Sequence, residues 1–419
     1  PGEHETEINT IIKQNNLPIK FPKNVEKYVK KISKNISKKE IEKRRDIRKT
    51  LTFTIDPEDA KDFDDAISFK ELTKNTYEVG IHIADVGHFV EEKSILDKEA
   101  YNRGTSIYLV DRVVPMLPEI LSNNVCSLRP QEEKYTFSAI FKINNKGEIL
   151  EEWFGKSIIK SDRRFSYAEA QEIIETQSGK IKKEIALSNK EYEVKEEMTR
   201  AILILNEIAK TLREERKRKG SINFNKKEIK FKLDSDNNPI EVIFKENKEA
   251  NKLIEELMLL ANKKVAEIFK RLKKEPSVYR IHDVPDKEKL KALKTIVKEF
   301  GYSLDISSRE GTSKTLNILL KEVKGKKEQN LIETLAIRSM SKAEYSTQNI
   351  GHYGLGFKNY THFTSPIRRY PDILVHRLLK ECLDRGSRKK EKGLSTRCKH
   401  CSEKETAAIK AERESTKYM

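Results

Sequence analysis

The chain has 419 residues, 36% hydrophobic and 36% charged, and its 84 Lys and Arg against 67 Asp and Glu give a formal net charge of +17. Such a composition is that of a soluble, globular, heavily charged protein, long enough for one large domain or two to three ordinary ones, and no apolar run reaches the length of a membrane-spanning helix. Four cysteines in a chain this long do not read as a disulfide framework, and no secretory leader precedes the first charged residues, so a reducing cytoplasm is the expected setting. The excess of positive charge points to a polyanionic partner, nucleic acid first, with a membrane surface or plain solubility as alternatives.

The sequence opens on Pro1 rather than Met, which suggests a processed or excised chain. Residues 1–45 read as a helical lead-in. Ile8, Ile11 and Ile12 fall at helical spacing, Pro18 and Pro22 interrupt, and residues 23–48 are lysine-rich and amphipathic, a pattern usual for a solvated face.

Residues 51–69, LTFTIDPEDAKDFDDAISF, are the most informative stretch. Leu51, Phe53 and Ile55 alternate with Thr52 and Thr54, the period of a half-buried strand, and a second short apolar run closes at Phe69. Between them lie Asp56, Asp59, Asp62, Asp64 and Asp65, with Pro57 expected to break the ladder. Two carboxylates about 4 Å apart repel by roughly 4 kcal/mol at an effective dielectric of about 20. A cluster of them must protonate, splay apart or hold a cation. Carboxylate-only ligation suits Mg²⁺ or Mn²⁺ rather than Zn²⁺. A calcium EF-hand loop fits poorly, because counting from Asp56 puts Lys61 where glycine belongs and Ile67 where glutamate belongs. The plain alternative is a solvated acidic turn.

Further strands are expected over 77–86, 135–143 and 149–159, the last two joined by the hairpin signal Asn144-Asn145-Lys146-Gly147, and 104–118 reads as an extended apolar stretch that holds Tyr108. Tyr108 is either core or a ring that stacks on a base. Helices are expected over 190–219 and 246–274, with a strand resuming at 221–224 and running to a turn at 236–239. Glu255 and Glu256 lie within the second helix, where solvent exposure is the plain reading. Asp286 is expected to open a helix that Gly301 stops.

Residues 352–376, HYGLGFKNYTHFTSPIRRYPDILVH, concentrate aromatic, His, Ser/Thr and Arg side chains. Ser365 followed by Pro366 reads as a helix start with Arg368 and Arg369 in its first turn. Arginine is disfavoured at a positive helix end unless an anion docks there, and a phosphate meets that condition. Residues 386–397 read as a loop before a last helix near 402–417. Cys398-Lys399-His400-Cys401 has no second Cys or His pair at zinc-site spacing, which argues against zinc.

Both unusual segments resemble one family. The aspartate loop is similar to the acidic signature of the ribonuclease II / ribonuclease R exoribonucleases, the RNB family, on the ribonuclease R side of it, and 352–376 resembles that family's C-terminal motif in register, from His352-Tyr353-Gly354-Leu355 through Phe363-Thr364-Ser365-Pro366-Ile367-Arg368-Arg369-Tyr370 to Asp372 and His376. The resemblance covers nearly the whole chain and implies an α+β fold with a mixed sheet surrounded by helices, residues 46–419 forming the catalytic domain. It implies metal-dependent hydrolysis of RNA from the 3′ end to nucleoside 5′-monophosphates with two Mg²⁺ ions, or Mn²⁺ in their place. The partner implied is single-stranded RNA or RNA with a single-stranded 3′ end.

The resemblance also implies roles residue by residue. Asp56, Asp62, Asp64 and Asp65 match the catalytic and metal-holding aspartates; Asp56 and Asp65 are expected as direct ligands, with Asp62 and Asp64 positioning the second ion and the water. Arg368 matches the arginine at the scissile phosphate, and Arg369 is its neighbour. Tyr108 and Phe224 match the aromatic clamp on terminal bases, Glu256 a glutamate near the terminal nucleotide, and Glu412 an active-site glutamate. The family's cold-shock and S1 modules have no counterpart here. Residues 1–7 resemble the joint after the second cold-shock domain and 417–419 the entry to S1, so an isolated catalytic domain is expected. The rival readings are an RNA-binding scaffold whose site has decayed and a metal-dependent endonuclease.

Overall fold

Seven strands build the central sheet of the computed structural model, which describes residues 4–33, 35–224, 228–234, 239–272, 276–386 and 392–419. They are β1 (Arg45–Asp46), β2 (Thr52–Asp56), β3 (Asp65–Thr73), β4 (Thr76–Ala84), β5 (Glu133–Asn144), β6 (Ile149–Lys160) and β7 (Arg163–Ser166), in the spatial order β1-β6-β5-β4-β3-β2-β7. The two outer pairs, β1 with β6 and β2 with β7, are parallel, and the rest antiparallel, so the sheet is mixed as expected. The turn between β5 and β6 falls on the expected Asn-Asn-Lys-Gly signal, where Gly147 takes a φ of +77° that glycine adopts without a Cβ penalty.

Six helices matter for the site: α1 (His4–Gln14), α2 (Tyr167–Thr176), α3 (Glu196–Arg218), α4 (Glu249–Leu272), α5 (Tyr370–Arg385) and α6 (Leu394–Tyr418). α2 packs on β2, α4 on β4 and α5 on β6, while α3 lies along α4. Fully buried Phe53, Phe137, Phe141, Phe165 and Phe363 centre this core, and burial of each such side chain stabilises the fold by about 1.5–3 kcal/mol. A separate apolar cluster joins the helices Lys287–Glu299, Arg309–Glu322 and Gln329–Ser339, the first capped by Asp286 as its sequence predicts. The lead-in packs onto the domain: Ile8, Ile11 and Ile12 of α1 pack with Ile107, Leu109, Ala408 and Ala411.

The fold departs from the sequence expectations in three places. Residues 221–224 form no ladder; Ile222 N–H donates instead to Gly354 O at 2.9 Å. The turn expected at 236–239 falls, but for Pro239, outside the described residues. The last helix begins at Leu394, not near 402, because Leu394, Cys398 and Cys401 form a buried seam at helical spacing, which is what the Cys-Lys-His-Cys run encodes. Helix α5 begins at Tyr370, with Pro371 in its first turn, so Ser365 caps nothing and Arg368 lies in the turn ahead of the helix. The cause is local: Asp372 Oδ1 accepts Ser365 N–H at 2.8 Å and Asp64 Oδ1 accepts Ile367 N–H at 2.8 Å, so two carboxylates take donors that a helix starting at 366 would leave open.

Candidate active site

The acidic loop exists because β2 outruns its partner. β2 and β3 pair only at Thr52–Ser68 and Phe53–Ile67, after which β2 follows β7, with Asp56 opposite Ser166. The eight residues from Pro57 to Asp64 therefore leave the sheet as a loop, with Asp56 and Asp65 at the strand ends that flank it. Phe63 is its buried anchor, with its N–H donating to Ser127 Oγ at 3.0 Å and its carbonyl accepting Leu128 N–H at 3.0 Å. Arg164 of β7 clamps the other side: its Nη2 donates to the carbonyls of Pro57 at 2.8 Å and Glu58 at 2.7 Å, and its guanidinium lies 4.9 Å from the centre of the Phe63 ring. Asp59 is exposed, outside the cluster.

Asp56 and Asp64 are buried, Asp62 and Asp65 half-buried. Burial pushes all four carboxyls above the usual carboxylate range, Asp65 up to about 6, and nearby carboxylates add to the rise: Asp65 and Asp62 at Asp56, Asp62 and Asp65 at Asp64, and the exposed Asp59 at Asp62. Arg368 opposes the rise at Asp62, Asp64 and Asp65. Its Nε lies 3.9 Å from Asp64 Oδ2, and its Nη2 donates to Ser365 Oγ at 3.2 Å. With its side chain 41% exposed, it has room for a further anion.

The donor set fits a hard divalent cation. It is all carboxylate, and no donor reaches buried Asp56 Oδ2 in hydrogen-bonding geometry, although Thr54 eases its charge. Among the described residues no three His, Cys, Asp or Glu side chains already converge on one point. An ion placed here would be held by one or two carboxylates at a time, with water or a phosphate completing its shell, a manner that suits Mg²⁺. Asp65 binds its proton more tightly in the folded chain, so stability falls as pH rises from the ordinary carboxylate value to about 6 and stays lowered above it. A cation competes with that proton and should restore the loss. Mg²⁺ is expected to raise the melting temperature more at about pH 8 than at about pH 5; calorimetry showing equal gains at both would remove the cation from this loop.

The remaining expected residues fall into three settings. Tyr108 is 42% exposed, its phenol feels Arg368, Asp62 and Asp64, and its N–H donates to Glu412 Oε1 at 3.0 Å. Burial raises the Glu412 carboxyl, which is eased by that N–H and by Arg368. Phe224 and Glu256 line a neighbouring pocket of 470 Å³ with Glu255 and Arg216, and Arg216 Nη2 donates to Glu256 Oε1 at 2.5 Å. Arg369 stands apart from Arg368. Its side chain is 15% exposed and turned inward, with Nη2 donating to Asp372 Oδ1 at 2.8 Å, so it braces the turn that presents Arg368 and does not face the cluster.

Two residues escaped the sequence reading. Arg164 is one. The other is Tyr167, the first residue of α2, whose start is fixed by a capping box between Ser166 and Glu169. Because Ser166 sits opposite Asp56, the next side chain emerges beside the cluster. Its phenol is raised by burial and by Asp65 and Asp56, and also feels Glu255, which links the cluster to the neighbouring pocket. The capping box was visible in the sequence; the strand register that aims it was not.

Carboxylates gathered opposite a half-exposed guanidinium have the chemistry of a cation-assisted, phosphate-handling domain. The family model described as the RNB domain matches residues 44–385, and the chain belongs to that family. It is 40% identical over 418 residues to "Ribonuclease R" of Thermotoga maritima, covering 97% of this chain and 57% of that protein. It is 35% identical over 397 residues to "Inactive exonuclease DIS3L2" of Arabidopsis thaliana, covering 91% and 37%. Among solved structures, Mycoplasma genitalium RNase R in complex with ribose methylated single-stranded RNA superposes with a TM-score of 0.89 at 28% identity, covering all of this chain and 64% of that one. The chain thus spans about half the length of the curated relatives it matches.

Proposed function

We propose that the chain is the catalytic domain of a 3′-to-5′ exoribonuclease, hydrolysing single-stranded RNA to nucleoside 5′-monophosphates. The observation that carries the reading is Asp64. Its carboxylate accepts Ile367 N–H and faces Arg368, so it ties the acidic loop to a turn some 300 residues on, separated by 303 positions. When bound, two Mg²⁺ or Mn²⁺ ions supply Lewis-acid charge and water of lowered pKa. Asp56 and Asp65 are the direct holders, with Asp62 and Asp64 serving the second ion and the water. Arg368 neutralises the phosphate as charge builds in the transition state. Tyr108, held to α6 by Glu412, and Phe224 stack terminal bases. Glu256, fixed by Arg216, lies at the terminal nucleotide. Tyr167, its phenol raised by burial and by Asp65 and Asp56, stands beside the aspartates.

An inactive scaffold is the second reading, favoured by the inactive Arabidopsis relative. Against it, Asp56, Asp62, Asp64, Asp65 and Arg368 are all present. A single-stranded RNA labelled uniformly along its length, incubated with Mg²⁺, separates the readings. The expected result is stepwise shortening from the 3′ end with mononucleotides from the earliest time point, abolished by chelator. Mid-length fragments at first indicate an endonuclease, and intact RNA a scaffold.

A further inference from the structure

A cavity of 1040 Å³ lies away from the aspartates. Six cations line it: Lys217, Arg218, Lys219, Lys263, Lys314 and Lys358. Only two carboxylates, Glu267 and Glu310, share the lining. Lys219 pairs with Glu215 and Lys263 with Glu267, and among the described residues Lys217, Arg218, Lys314 and Lys358 have no ion-pair partner. Four uncompensated cations around one concavity focus a positive potential that only an anion relieves. The cavity also holds an aromatic ring. Phe357 stacks on Tyr360, with centroids 5.6 Å apart, and Lys263 Nζ lies 5.8 Å from the centre of the Phe357 ring. Charge beside a braced ring suits a chain of phosphates that carries planar bases.

The floor is built by two crossing segments. A Cβ on Gly356 would lie 2.9 Å from Ser221 N and 3.2 Å from Lys219 O, and Gly220 takes a φ of +91°. Ile222 N–H donates to Gly354 O at 2.9 Å and locks the crossing. The same segment walls the pocket of Phe224 and Glu256, and Lys217 lines both. A strand whose 3′ end occupies that pocket can therefore pass Lys217 into the larger cavity.

We infer that this cavity is an exosite for the single-stranded RNA upstream of the reacting end, with Lys217, Arg218, Lys314 and Lys358 on phosphates and Phe357 against a base. The inference rests on the proposed RNA substrate. It gives the chain a preference for length that the catalytic cluster alone does not supply.

The test is fluorescence anisotropy of two labelled single-stranded RNAs, of about 20 and about 4 nucleotides, over a salt series. The variants are Lys314→Glu with Lys358→Glu, both at exposed positions, and Phe357→Ala. Lys39→Glu with Lys98→Glu, outside the cavity, controls for net charge. The double cavity variant is expected to bind the longer RNA about tenfold more weakly and the shorter one unchanged, with the salt slope lowered by about 1.4 for two lost phosphate contacts. Phe357→Ala should weaken the longer RNA about tenfold with the slope kept. Saturated turnover should match the parent. Equal losses for both lengths, or a loss matched by the control pair, overturns the exosite. The two readings fail separately: length-dependent binding without hydrolysis retains the exosite and removes the activity, whereas hydrolysis with parental binding does the reverse.

Discussion

Asp64→Asn is expected to lower single-turnover hydrolysis by about a thousandfold or more while RNA binding stays near the parent value. The substitution is nearly isosteric, and the amide oxygen can still accept Ile367 N–H, the 2.8 Å bond that ties the acidic loop to the turn before α5. What it removes is the negative charge that Asp64 sets against Arg368, a charge that burial makes costly and Arg368 eases. The loss therefore reports on charge and not on folding, and an unchanged melting temperature is part of the expected result. Quench-flow cleavage within tenfold of the parent rate returns Asp64 to a purely structural role.

Arg368→Lys carries the second largest effect, a loss of about a hundredfold or more in turnover with affinity changed by much less. The guanidinium is presented by a turn braced from three sides. Ser106 N–H donates to its carbonyl at 2.9 Å, Ser365 Oγ accepts from its Nη2, and Arg369 with Asp372 stiffens the backbone beneath it. Lysine keeps the charge but loses the planar fork that can meet two phosphate oxygens while still holding Ser365. Separate determination of Kd and kcat decides the matter. A fall in affinity with turnover intact makes Arg368 a backbone-positioning contact.

How much of this was legible in the sequence depends on how far apart the partners lie along the chain. The acidic loop could be read because its strand alternation, Pro57 and five aspartates fall within 19 consecutive residues, 51–69. The hairpin at Asn144–Gly147 and the cap at Asp286 were readable for the same reason: each is settled by neighbours. The helix start expected at Ser365 was not, because the donors that set it are taken by Asp372 and by Asp64, and the second is set by tertiary structure. Tyr167 and Arg164 were missed because their aim comes from the parallel register of β2 with β7, which no local pattern encodes. Arg369 shares composition with Arg368 but not direction, and only the fold shows which of two adjacent guanidinia faces the carboxylates. The Cys-Lys-His-Cys run shows the converse, since a spacing that suits a metal also suits a buried helical seam, and the core claimed it.

The central claim is that the acidic loop and the turn at Arg368 act as one catalytic unit although the chain separates them by 303 positions. A double-mutant cycle on the saturated single-turnover rate tests it most directly, with Asp64→Asn, Arg368→Lys and the pair measured in Mg²⁺ on one single-stranded RNA. Residues that act as a unit lose little more together than the worse one loses alone, so the pair is predicted to fall within about tenfold of the slower single variant. Losses that multiply in full would show two independent contributions and contradict the unit.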